Sequence, residues 1–154
     1  MENVLLFLHS LLRWIILVLL ILSIVRSFSG WKSKKAFSTG DGKMWLFLMI
    51  SAHITLVLGL YQLFFGRYGI AVTSLPEGTQ VMKDKFFRFF WVEHPFGMIV
   101  SVVLITLGRR MSKPAIPDTD KYKKAFWYFF IALIVILATV PWPFRDIVGR
   151  PWIY

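Results

Sequence analysis

The chain has no cysteine. That absence excludes disulfides, thiolate-held iron–sulfur clusters, covalently attached c-type haem and every cysteine-based catalytic scheme. Any metal or cofactor must be held by His, carboxylate, Met or backbone. Acidic residues are scarce: 8 Asp and Glu stand against 18 Lys and Arg, a formal net charge of +10. The basic residues fall between apolar runs, as loops facing anionic lipid do, so nucleic acid is not an expected partner. What the chain has in excess is apolar surface. Of its 154 residues 57% are hydrophobic and 18% aromatic, with a mean hydropathy of +0.65. A soluble domain runs at about 45–50% apolar, so a water-soluble globule is the wrong starting point.

Four segments are apolar enough to cross a bilayer, which takes about 20 residues. They lie at Asn3–Val25, Met44–Phe65, Phe89–Gly108 and Ala125–Pro141. The first is expected to stay attached, since Glu2 precedes it, its apolar run is long and no small-residue cleavage site follows. Arg26, Lys32, Lys34, Lys35 and Lys43 lie between spans 1 and 2; Arg109, Arg110, Lys113, Lys121, Lys123 and Lys124 lie between spans 3 and 4. These are 11 of the 18 basic residues, so the positive-inside rule puts both connections in the cytoplasm. The expected fold is all-α: one integral-membrane domain, a four-helix up-and-down bundle, N-out and C-out. Trp31 and Trp45 are expected at the inner interface, and Trp91, Trp142 and Trp152 at the outer one. Pro76, Glu77 and Gly78 read as an outer turn, and the tail from Trp142 to Tyr154 should lie along the outer interface.

All three histidines, His9, His53 and His94, fall inside spans, where ionisable residues are avoided. At 1.5 Å per residue, His9 and His94 lie roughly 9 Å and 8 Å below the outer ends of their spans, at one level. His53 is roughly 12–18 Å down. His9 shares a helix face with Arg13, Ser23 and Ser27, and His94 with Gly97, Met98, Ser101 and Gly108. Stripes of small and polar residues are where membrane helices pack, so both imidazoles should point inward. In span 2 the stripe Ser51, Thr55, Gly59 and Gln62 lies almost opposite His53. Either His53 faces the interior and the stripe meets another subunit, or His53 is peripheral.

Spans 1 and 3 of such a bundle are diagonal neighbours, and two imidazoles at equal depth can hold one iron between them. Without cysteine the haem would be non-covalent, hence b-type. Two other readings use the same residues. Each His could simply hydrogen-bond a neighbouring helix, or His with Met98 or Met49 could hold copper or zinc. Arg13, one turn deeper than His9, could anchor a haem propionate or an anionic substrate, or satisfy backbone carbonyls. Glu93, the only carboxylate within any span, could pair with Arg13, carry protons to an outer-side redox reaction, or sit in interfacial water. Pro95 should bend its helix and free the carbonyl of Trp91.

The run from His9 through Ser10, Leu11, Leu12 and Arg13 to Trp14, the Ser51-Ala52-His53 and Val92-Glu93-His94-Pro95 segments and the closing Pro141-Trp142-Pro143-Phe144 together resemble small bacterial membrane proteins labelled cytochrome B-like. The resemblance covers nearly the whole chain. It implies haem b and a bacterial inner (plasma) membrane location; with both axial positions filled the iron would do electron transfer, with a quinol or a neighbouring redox subunit as donor or acceptor. More remotely the chain resembles the four-helix HemJ-type protoporphyrinogen oxidases. His9 matches their essential early histidine, whereas the lysine of their later helix has no counterpart in these spans. The expectation is a b-type haem-binding cytochrome with His9 and His94 as axial ligands. Its alternatives are porphyrinogen oxidation, and an accessory subunit of a homo-oligomer or larger respiratory complex docking through Ser51, Thr55, Gly59 and Gln62.

Overall fold

In the computed structural model, which describes residues 2–153, the chain is all-helical, and each of four helices is long and apolar enough to span a membrane. Helix α1 runs over Glu2–Lys32, α2 over Thr39–Phe65, α3 over Lys85–Arg110 and α4 over Asp118–Thr139. Each helix packs on the next in sequence and α1 closes the ring on α4, so α1 and α3 are diagonal, as are α2 and α4. Only 22–28% of each helix's most apolar stretch is buried inside the bundle. The rest, including Val18, Val57, Ile99, Val103, Ile134 and Leu137, points outward. A helix that is apolar all round suits a lipid surrounding.

Local chemistry sets the helix ends. Ser38 caps α2 by accepting the Asp41 N–H at 3.0 Å, and Asp84 caps α3 by accepting from Phe86 and Phe87 at 2.9 and 3.0 Å. Pro141 forces the residue before it out of the helical region, and Val140 is extended (φ −75°, ψ 139°), so α4 ends at Thr139. The helices outrun the expected spans. Nothing from Arg26 to Trp31 breaks α1, so Arg26 and Lys32 ride on the helix, and the connection to α2 shrinks to residues 33–38. The Pro76 turn forms as expected: Thr79 N–H donates to the Pro76 carbonyl at 3.0 Å, with Gly78 at φ +83°.

The core runs through Leu20, Trp45, Leu48, Ile105, Phe129 and Ala132. Two of the tryptophans expected at the interfaces are covered by protein. Trp45 is fully buried against Phe37, Tyr122 and Phe129, and Trp142 is buried with its indole N–H on the Leu137 carbonyl at 2.8 Å. At the Trp45 end of the bundle the buried Asp41 accepts from Tyr122 Oη at 2.6 Å, Ser38 Oγ at 2.7 Å and Arg26 Nε. That hub ties α1, α2 and α4 together.

The tail folds against the bundle. Beyond Trp142 it turns back, with Arg150 N–H on the Pro141 carbonyl, and the Trp152 carbonyl reaches α1. Tyr154, part of the tail as expected from sequence, lies outside the described residues.

Candidate functional site

His9 and His94 meet inside the bundle from the diagonal helices α1 and α3, with ring centres 6.4 Å apart and planes at 72°. Two features of the backbone bring them there. Gly59 of α2 stands beside His9; a Cβ at that position would lie 3.2 Å from His9 Cε1, so a larger residue would crowd the imidazole. Before His94 the helix widens into a π-helical turn over Phe89–Glu93, in which the His94 N–H donates to the Phe89 carbonyl five residues back. Pro95 has no N–H to offer, and the extra residue of the π turn absorbs that interruption without ending the helix. At the expected bend the helix thus carries a local change of register.

His94 Nδ1 lies 2.8 Å from the Thr139 carbonyl. A carbonyl only accepts, so Nδ1 carries the proton and Nε2 keeps the lone pair. Thr139 is the last residue of α4, and helix ends leave carbonyls without intrahelical donors, which is why this one is available. An Nδ1–H held by a backbone carbonyl is the usual support of a metal-ligating histidine. Gly97, one turn along α3 from His94, lets Thr139 approach; a Cβ there would stand 2.5 Å from the Thr139 side chain. His9 Nδ1 is buried without a hydrogen bond in range, although the Thr55 backbone lies beside it.

Both imidazoles line a cavity of about 260 Å³ to which all four helices contribute. Its wall is mainly aliphatic and aromatic, with Ser10, Ser101, Gln62 and three arginines, Arg13, Arg67 and Arg150, among the polar groups. Gln62 donates to the Leu5 carbonyl at 3.1 Å, which spans α2 to α1.

The remaining candidates separate from this pair. His53 is exposed on the outside of α2, bonded through Nδ1 to the Met49 carbonyl of its own helix at 2.8 Å. It does not join the other two. Thr55, Gly59 and Gln62 correspondingly turn towards α1 and the cavity, whereas Ser51 does not line it. Of the two arrangements open at the sequence level, the peripheral His53 is the one adopted. Glu93 pairs with Arg88 at 2.7 Å and is exposed; it neither meets Arg13 nor faces the cavity. Arg13 lines the cavity but donates to the Trp152 carbonyl and, at 3.3 Å, to Ser10 Oγ, with its guanidinium near the Trp14 and Trp142 rings at 5.4 and 5.8 Å. Trp14 Nε1 donates to the same carbonyl at 2.9 Å. Met98 lies in the cavity wall and Met49 does not. Among the described residues no group of three or more His, Asp or Glu converges.

Sequence reasoning missed Thr139, Arg67 and Arg150, and read Gly59 as part of a stripe rather than as the neighbour of His9. Pro141 signals the end of α4 and hence a spare carbonyl, but nothing local says that His94 meets it. The fold and site together define a class: a four-helix bundle of membrane-spanning length with a paired-histidine cavity near one end. No family model, curated protein or solved structure matches the chain.

Proposed function

We propose that this is a multi-pass protein of the bacterial inner membrane, with both termini outside, that holds non-covalent haem b between His9 and His94. The observation that carries the reading is the meeting of two inward-facing imidazoles from diagonal helices. Imidazole nitrogens bond first-row metals at roughly 2.0–2.1 Å and sit about 1 Å from their ring centres, so rings either side of one metal atom have centres about 6 Å apart. The 6.4 Å separation fits that spacing. The Thr139 carbonyl supports it independently by keeping Nδ1 of His94 protonated. Haem held between these two imidazoles would supply one-electron transfer. The residues around it bind and orient: Thr139 fixes the His94 tautomer, Gly59 makes room for His9, and the apolar wall excludes water. A membrane quinol or a neighbouring redox subunit is the expected exchange partner.

The test is an absorption spectrum of the full-length protein purified in mild detergent from haem-replete cells, before and after dithionite. A Soret band with a sharp reduced alpha band is expected. His9→Ala and His94→Ala should each abolish that pattern, while His53→Ala, on the outer surface, should leave it unchanged. A colourless wild-type protein overturns the proposal.

A further inference from the structure

The charge in the cavity wall is of one sign. Three arginines line it, and among the described residues no Asp or Glu does. Arg13 is engaged by the tail, but Arg67 and Arg150 have no hydrogen bond or ion pair to a carboxylate among the described residues. Arg67 extends from the loop after α2 and stacks over Tyr68 at 5.6 Å. Arg150 comes from the tail and lies over Phe90, Phe86 and Tyr68 at 4.7, 5.2 and 5.5 Å. These aromatic faces hold the two guanidinium groups at the cavity without neutralising them. A guanidinium keeps its charge and presents a planar fork that matches a carboxylate. The cavity beneath is apolar, so an occupant that suits the whole site has an apolar body and acidic groups at one edge.

We infer that Arg67 and Arg150 form a carboxylate-binding rim for the ligand of the histidine cavity. Resting on the haem reading above, its partners are the two propionates. The cavity is smaller than the about 300–1,000 Å³ of ordinary small-molecule pockets. Arg67 and Arg150 line the same cavity as both imidazoles, so a macrocycle held there would lie against them. The tail thus contributes directly to the site, through Arg150, as well as packing on α1.

The experiment titrates the full-length, detergent-solubilised protein, stripped of endogenous haem, with iron protoporphyrin IX and separately with its dimethyl ester, following the Soret shift. The ester keeps the ring and the iron but has no carboxylate. Each charge-assisted hydrogen bond lost should weaken binding by about tenfold or more, so wild-type protein should prefer the free acid by at least that factor. In the Arg67→Gln/Arg150→Gln protein the preference should collapse towards equality. Arg67→Lys/Arg150→Lys, which keeps the charge and loses the fork, should restore part of it. His9→Ala should weaken both ligands alike. Equal binding of acid and ester to wild type, still dependent on His9, overturns the rim and leaves the haem reading standing. An acid preference that survives in the glutamine variant also overturns the rim. Binding of neither porphyrin overturns both.

Discussion

Replacing Gly97 by alanine probes the support of His94 without touching either imidazole. The new Cβ would stand 2.5 Å from Thr139 Cγ2 and Oγ1 and 2.7 Å from Thr139 Cβ. Carbon contacts are optimal at about 3.5–4.0 Å, so roughly 1 Å must be found between α3 and α4. Rotating the Thr139 side chain cannot supply it, because the clash includes its Cβ, which the backbone places. Overpacking of this kind costs about 1–3 kcal/mol. Better helix propensity returns about 0.8–1.0 kcal/mol, so the net loss of stability should be small, about 0–2 kcal/mol. The larger effect should fall on the ligand. A shift of about 1 Å carries the 2.8 Å contact from His94 Nδ1 to the Thr139 carbonyl beyond hydrogen-bond range. Losing such a support typically weakens metal binding by about 10–100-fold. Titration with iron protoporphyrin IX should show that loss in Gly97→Ala, while circular dichroism remains that of the folded bundle. Gly97→Ala/Thr139→Gly, which removes the obstructing side chain and keeps the carbonyl, should recover most of the affinity. Gly108→Ala is the matched control: its Cβ would stand 2.5 Å from the Phe129 ring, about 16 Å further along α3. It should cost comparable stability and leave haem affinity alone. Equal affinity losses in Gly97→Ala and Gly108→Ala would refute a local role for Thr139.

Two further outcomes follow from the remaining polar contacts. Asp41→Ala leaves Tyr122 Oη and Ser38 Oγ without their acceptor in a buried setting, and should destabilise the bundle by about 2–4 kcal/mol in a detergent denaturation titration. Arg26, well exposed, adds little to that figure. Tyr122→Phe removes one donor from a carboxylate that retains two, and should cost only about 0.5–1.5 kcal/mol; equal losses would deny the hub its central acceptor. Arg13→Leu removes one of three donors to the Trp152 carbonyl, so limited proteolysis should release the tail beyond Pro151 faster than in wild type. An unchanged cleavage rate would place the tail's anchorage elsewhere.

The four-helix architecture was open to a reading of the sequence because its causes are local. Apolar runs of the required length, basic residues between them, Ser38 and Asp84 before helix starts and Pro141 after a helix end each act within a few residues. The inward direction of His9 and His94 followed from small residues at helical spacing. The burial of Trp45 was not legible: its position near a span end says nothing of Phe37, Tyr122 and Phe129, which arrive from elsewhere in the chain to cover it. Glu93 and Arg13 were similarly hard to place. Their partners, Arg88 across a π turn and the carbonyl of Trp152 at the far end of the chain, answer to no periodic pattern.

Composition and periodicity alone determined that the chain forms apolar helices and that two imidazoles share a level, since solvation and the helical repeat act residue by residue. Tertiary structure alone decided that the end of α4 lends His94 a carbonyl, that His53 stays outside, and that the tail folds back to set Arg150 beside the cavity. Those outcomes depend on which surfaces pack closest. A helix end with an unspent acceptor, a glycine narrow enough to admit a neighbour and a tail satisfied by a distant guanidinium become visible only when the helices are placed together.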